Sequence, residues 1–250
     1  MNFLVAVGEW AAFVGRCSLA AFFVVRRPSL WLRPLHAVLV GGLPLAAVAG
    51  LAVGVVIWVH TRGVLARTGT GAVELLPTFL SAAVLLELAP IAAGLILAAR
   101  TGASLGAEFA SLKVSEQVDA LELLGVSTMR RLIGPRVLAC ALAGPLLHTL
   151  IAGLAIGGGY AAESLSGSTT YLRYSTAVLR ELRLNEVLAA GLKPLVFGLL
   201  TGATGCFLGL RATAGSEGVG RAATDSVVAC SLLVLLADVL LVGLIQVVGW

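Results

Sequence analysis

The chain has 250 residues, 59% of them hydrophobic and only 12% charged, with a mean hydropathy of +1.02 and a net charge of +4. That balance excludes a soluble domain and predicts an all-α integral membrane protein, with length for five or six spans of ~20 residues and no room for a further soluble domain. The 17 basic residues, fifteen of them arginine, are scattered, so they form no nucleic-acid footprint and fit loops that meet anionic lipid.

Residues 3–25 are apolar but carry Glu9 and Arg16 on one helical edge, and Arg26, Arg27 and Pro28 close the segment. Two readings stay open: a helix lying in the interface, or a true span. The segment has neither the basic start nor the cleavage site of a signal peptide. Five clear spans follow, at about 38–59, 78–107, 137–162, 187–210 and 226–248. With the N-terminal region inside, the inner segments hold Arg16, Arg26, Arg27, Arg33, Lys113, Arg130, Arg131, Arg136, Arg211 and Arg221. The outer loops hold Arg62, Arg67, Arg173, Arg180 and Arg183, so the basic excess is cytoplasmic and the C-terminus ends outside. The outer loop at 163–186 carries Tyr171 and Tyr174 beside Arg173, an interfacial composition.

The second and third spans are joined by a short acidic stretch. Ser115 is placed to cap a helix of about nine residues (116–124), Glu116 and Gln117 lie in its first turn, and Gly125 ends it. Val118, Leu121 and Leu124 form one stripe; Glu116, Asp119 and Glu122 form another. A helix that short is not stable alone, so it either docks on a partner or remains an ordinary solvated loop helix.

Charges inside spans need a reason, since each costs at least ~2.5 kcal/mol on insertion scales. Glu87, Arg100 and Glu108 lie along the second span, Lys193 in the fourth and Asp238 in the fifth. Glu87 and Arg100 are thirteen residues apart, about 220° around a helix, and cannot pair with each other. Lys193 and Asp238 fall in the outer half and are candidates for a cross-helix ion pair or for the polar lining of a substrate path. Pro90 disrupts the helix ladder beside Glu87 and predicts a kink. Five GxxxG pairs, Gly50/Gly54, Gly102/Gly106, Gly153/Gly157, Gly198/Gly202 and Gly205/Gly209, predict close helix crossings, with the second and fourth spans packed tightly.

The four cysteines, Cys17, Cys140, Cys206 and Cys230, have no CxxC spacing and read as small core hydrophobes. His36, His60 and His148 have no metal-ligand spacing, and neither a GxSxG elbow nor a phosphate-binding GxxxxGK[ST] loop is present. No metal, cofactor or catalytic residue is therefore assigned to this chain.

The run ELAPIAAGLILAARTGASLGAEFASLKVSEQVDALELLGVS, from Glu87, resembles the signature of the MlaE/YrbE permeases, membrane subunits of the ABC lipid transporters that work with MCE proteins. LKPLVFGLLTGATGCFLGL and GSEGVGRAATDSVVACSLLVLLADVLL are similar to that family's C-terminal pattern, and together these blocks cover about half of the chain. Two positions depart from the pattern: Leu86 stands where the family carries arginine, and Ala89 where it carries a residue such as glycine.

The resemblance implies one permease domain over 1–250. Residues 1–37 form an interfacial N-terminal segment, and 38–250 a five-helix bundle with a cytoplasmic coupling helix at about 115–125. It implies that Ser115, Glu116, Gln117, Asp119, Leu121, Glu122 and Gly125 seat on an ATPase subunit, which binds the ATP and magnesium. Further implied partners are a second copy of the chain, an MCE-domain protein at the outer face, a small STAS-domain regulator and membrane lipid, in a bacterial inner membrane. Phospholipid is the family's usual cargo. Two other classes compete: an ion-driven secondary transporter with Glu87, Arg100 and Asp238 as a relay, for which no inverted repeat is visible, and an intramembrane enzyme, for which no nucleophile and base are found.

Overall fold

The computed structural model describes residues 3–68, 72–166, 169–181 and 184–248, and among them the structure is helical with no strand. Helix is the form expected of apolar segments in lipid, because it satisfies every backbone group within the segment. Helix α1 (Phe3–Val24) turns at residues 25–27 into α2 (Pro28–Thr68), the longest element at 41 residues. A 3-10 turn (Ala72–Leu75) leads into a continuous rod made of α3 (Leu76–Ala83), α4 (Ala89–Ile96) and α5 (Ala103–Val114). Two π-helical turns, Val84–Leu88 and Leu97–Gly102, interrupt that rod, and they contain its two mid-span charges, Glu87 and Arg100. The short α6 (Gln117–Leu123) follows, then a π turn (Met129–Ile133) that opens α7 (Gly134–Leu165). Helices α8 (Tyr171–Glu181), α9 (Leu184–Leu210) and α10 (Ser216–Val248) complete the described chain.

Among the described residues six helices are long and apolar enough to cross a membrane, against the five spans and one interfacial helix expected from sequence. The sixth is α1, and its contacts are confined to one end of the bundle. Trp10 donates to the Thr204 hydroxyl at 3.0 Å, Phe13 stacks on Phe207, Glu9 pairs with Arg211, and the Arg130 guanidinium lies over the Phe23 ring. Thr204 and Phe207 are in the last two turns of α9, Arg211 directly follows that helix, and Arg130 is in the turn before α7. Every one of these partners therefore belongs to the end that carries α6.

The core has two apolar clusters. One, nearer the α8 end, joins Leu76, Leu80 and Val84 of the rod to Leu147, Ile151 and Ala155 of α7 and Ala46 of α2. The other, at the α6 end, gathers Phe13, Cys17, Leu105, Phe109, Val137, Cys140 and Cys206. All four cysteines are free and buried. Leu232, Leu236, Val239, Leu240 and Leu244 of α10 point outward, which suits a helix against acyl chains.

Glycine contacts divide the GxxxG pairs. A side chain at Gly54 would run into the Ala155 carbonyl, so α2 crosses α7 backbone to backbone. Gly205 and Gly209 of α9 rest on the carbonyls of Gly102 and Gly106, the tight crossing expected between the second and fourth spans. Gly153 and Gly157, also expected at a crossing, face open space.

At the α8 end the expected loop contains a helix. Tyr174 is buried, with its hydroxyl donating to the Ile156 carbonyl at 3.3 Å and its ring against Tyr160, and Arg173 pairs with Glu74 at 2.8 Å. Arg183, counted with the outer loops, lies outside the described residues.

Candidate functional site

Pro90 is where the first site begins. In the π turn the Ala89 amide bonds back to the Val84 carbonyl, and Pro90 has no amide hydrogen to offer. The carbonyls of Leu85 and Leu86 are thereby deprived of their usual donors and take side chains instead. His148 Nε2 lies 3.2 Å from the Leu85 oxygen, and Lys193 Nζ donates to the Leu86 oxygen at 3.1 Å. Sequence reading expected the kink and missed this consequence: a proline that disrupts one helix positions nitrogen side chains, an imidazole and an ammonium, from two others.

Lys193 also reaches both Glu87 oxygens, at 2.8 and 2.9 Å, and stands 3.6 Å from Asp238 Oδ1. The lysine side chain is 4% exposed, whereas Glu87 is 44% exposed and borders a cavity of about 180 Å³. Leu86, Ala189, Ala190, Val242 and Ile245 supply its apolar wall. The expected Lys193–Asp238 pair is thus present as the longer arm of a three-charge cluster, in which Glu87 holds the hydrogen bonds. One lysine against two carboxylates leaves a formal charge of −1.

Arg100 is not part of this cluster. It faces the other side of the rod and lines a second cavity, of about 410 Å³, with Arg33, Glu108 and Arg136. Arg136 is fixed there: it forms a two-point ion pair with Glu108, with Nε 3.2 Å from Oε2, and donates to the Leu132 carbonyl at 2.9 Å. The Arg100 guanidinium rests across α2 at Gly41, where a β-carbon would lie 2.6 Å from Nε. A relay through Glu87, Arg100 and Asp238 would have to cross two separate cavities. Arg33 and Arg136 were counted as loop charges from sequence, and only their convergence from α2 and α7 reveals the site.

The third region is the exposed α6 turn. Its C-terminus follows the expected pattern, with Gly125 at φ 72°. The Val126 amide bonds to the Leu121 carbonyl at 3.0 Å and the Gly125 amide to the Glu122 carbonyl at 2.9 Å, a Schellman closure. The start is a correction. Ser115 is the cap of the preceding α5, its hydroxyl donating to the Ser111 carbonyl at 2.8 Å, and Glu116, at φ 57°, takes the N-cap position of a helix only seven residues long. Gln117 is its first residue. Asp119 anchors the turn through Lys113 at 2.9 Å.

The apolar stripe of α6 is also redistributed. Val118 is buried and Leu121 half-buried, but Leu124 is 77% exposed and Leu123 beside it 89%. Glu116, Asp119 and Glu122 are exposed on the same short helix. Among the described residues no group of three or more His, Cys, Asp or Glu side chains could hold a metal ion.

Comparison with known proteins gives one family model, described as Permease MlaE, which matches residues 31–244. A probable ABC transporter permease protein of Rickettsia typhi is 37% identical over 159 residues, 64% of this chain and 61% of the relative. A probable ABC transporter permease protein of Rickettsia felis is 31% identical over 248 residues, 98% of this chain and 93% of the relative. The chloroplastic protein TRIGALACTOSYLDIACYLGLYCEROL 1 of Arabidopsis thaliana is 32% identical over 159 residues, 62% of this chain and 44% of its own length.

Proposed function

Because this chain belongs to the MlaE permease family, we propose that it is the membrane subunit of an ABC-type transporter that moves lipid, with ATP hydrolysed by a separate subunit. The observation that carries the coupling is the α6 turn, which offers Leu123 and Leu124 to solvent at its C-terminal end, on a seven-residue helix that also exposes Glu116, Asp119 and Glu122. Exposed leucines and acids on one short helix, linked to the rod on one side and to α7 on the other, suit a partner groove with apolar floor and basic rim. Closure of that partner then moves α5 and the π turn before α7 together, since both flank α6.

In this reading α6 is cytoplasmic, the α8 end faces the periplasm of a bacterial inner membrane, and five helices span. Helix α1 lies along the cytoplasmic interface, which its contacts with only one end of the bundle support. The chain acts as one permease domain and as a homodimer, beside an MCE-type protein at the outer face and a small STAS-domain regulator. The cargo is a lipid, phospholipid by family resemblance, and one relative carries a galactolipid in its name. Glu87 and Lys193 border its path where the small cavity has a charged rim and an aliphatic wall, and Pro90 and Asp238 support them from behind, through the freed Leu86 carbonyl and the longer ion-pair arm.

The test is co-purification from native membranes. Wild type should bring down an ATPase subunit, and the triple variant Glu116→Lys, Asp119→Lys, Glu122→Lys should lose it. Because Asp119 also holds Lys113, a second variant, Leu123→Ser with Leu124→Ser, removes the apolar tips without touching that pair and should lose the ATPase as well. If no ATPase accompanies wild type, or both variants retain it, the coupling reading fails.

A further inference from the structure

The second cavity is not needed for ATPase coupling or for the outer charge cluster, and its charge balance calls for a ligand. Three guanidinium groups converge on it from three helices: Arg33 from α2, Arg100 from the π turn of the rod, and Arg136 from α7. Glu108 offsets Arg136 alone. Neither Arg33 nor Arg100 has a carboxylate within ion-pair distance among the described residues, so the formal charge of the cavity is +2.

Arg33 is near the start of α2 and can reach water, whereas Arg100 lies roughly 20 Å along the rod from Val114. An arginine at that depth needs an anion or a water-filled path. The protein gives it a place, because Gly41 leaves α2 bare where the guanidinium lies and a wide π turn carries it, a device common at functional sites. Ala37, Val38 and Leu105 add an apolar wall to the same cavity. Forked, permanently charged donors with aliphatic neighbours match a phosphate group with a nonpolar attachment better than a point anion.

We infer that the cavity formed by Arg33, Arg100, Arg136 and Glu108 at the α6 half of the bundle is a binding site for a phosphate group, carried by a phospholipid head or free in solution. Its position in the cytoplasmic half of the membrane rests on the orientation proposed above; the binding itself does not. About 410 Å³ exceeds what inorganic phosphate needs and has space for a glycerophosphate head.

The test is a binding measurement that involves neither ATP nor transport, so its failure is separable from failure of the permease reading. The full chain is purified in mild detergent and offered phosphatidylglycerol, phosphatidylcholine or inorganic phosphate, and bound species are counted by native mass spectrometry. Arg33→Gln with Arg100→Gln should lower retained phosphatidylglycerol by about tenfold or more. Gly41→Leu keeps every charge but forces the Arg100 guanidinium aside, and should lower retention by several-fold. Arg130→Gln with Arg131→Gln, at the same end but outside the cavity, should retain lipid as wild type does. Displacement by millimolar phosphate identifies free phosphate as the ligand, and retention in its presence identifies the lipid head. Should the double variant unfold, Arg33→Gln alone and Gly41→Leu decide. Wild-type levels of bound phosphate groups in those variants, or none in wild type, overturn the proposal.

Discussion

Glu87 and Arg100 lie on one rod, thirteen residues apart, each in a π turn, and their surroundings are opposites. Around Glu87 the protein supplies its own counterion: Lys193 comes from α9 with nearly all its surface buried and spends its donors on Glu87 and the Leu86 carbonyl. Around Arg100 the carboxylate at hand is already committed to Arg136. The first arrangement is closed and costs heavily if one member is removed, because the others are left charged in a low dielectric. The second is open, so its members should be removable at smaller cost to the fold. Charge within a span therefore marks two different things here, an internal tie and an unfilled recognition site.

The largest effect should come from opening the closed cluster. Lys193→Leu leaves Glu87 and Asp238 facing each other without a cation and should cost about 3–5 kcal/mol, seen as loss of folded protein in a detergent thermal melt. Lys193→Leu with Asp238→Leu should recover only part of that loss: the 3.6 Å arm becomes apolar, while the half-exposed Glu87 is left without the cation that held it. If the double variant also transports lipid, neither charge serves transport. Arg100→Gln, by contrast, should shift the melt little; a loss as large as that of Lys193→Leu would erase the distinction between the two regions.

A smaller effect separates the helix break from the charge it serves. Pro90→Ala restores an amide that can bond the Leu86 carbonyl, in competition with Lys193. The thermal midpoint should hold or rise, while lipid transport falls by roughly a few-fold as Lys193 loses one of its anchors. A fall in both would mean that the proline is needed for packing alone. Outside the spans, burial pushes the Tyr174 hydroxyl up to about 12. The folded protein then keeps a proton that an unfolded tyrosine releases near its usual pKa of about 10. This tyrosine's contribution to stability should be intact below that pH and be lost as the pH climbs toward 12, and Tyr174→Phe should remove that alkaline limb from a stability profile.

Composition made the membrane class and the clear spans legible because the runs of Leu, Val and Ala are long enough to be read without knowing what they touch. Gly125 was legible for a local reason, as a left-handed C-terminus needs glycine. Ser115 was misread because the local signal is ambiguous: its hydroxyl can cap the next helix or bond back to the last one, and here it bonds back. Charge pairing was not legible, since Lys193 and Glu87 are 106 residues apart in sequence and only the crossing of α9 with the rod brings them together. Nothing in one sequence marks Arg33 and Arg136 as neighbours of Arg100. Helix α8 did carry a signal, the i, i+4 spacing of Tyr174 and Val178, both buried, but it sits in a polar segment between two spans and was read as loop.

The smallest effects set two surface ion pairs, Glu217–Arg221 and Glu9–Arg211, against each other. Glu217 and Arg221 are an exposed i, i+4 pair on α10, and Glu217→Gln should change stability by no more than about 0.5 kcal/mol. Glu9 and Arg211 are also half in solvent, but their pair joins α1 to the end of α9, and Arg211 lies 4.4 Å from the Phe207 ring centre, which itself stacks on Phe13. Arg211→Gln should therefore change the global melt as little as Glu217→Gln does, while hydrogen exchange across residues 3–24 speeds up, because this pair, with the Trp10–Thr204 bond and the Phe13–Phe207 contact, ties α1 to the end of α9. Equal exchange in the two variants would mean that burial of Phe13 and Cys17 alone holds α1 to the bundle.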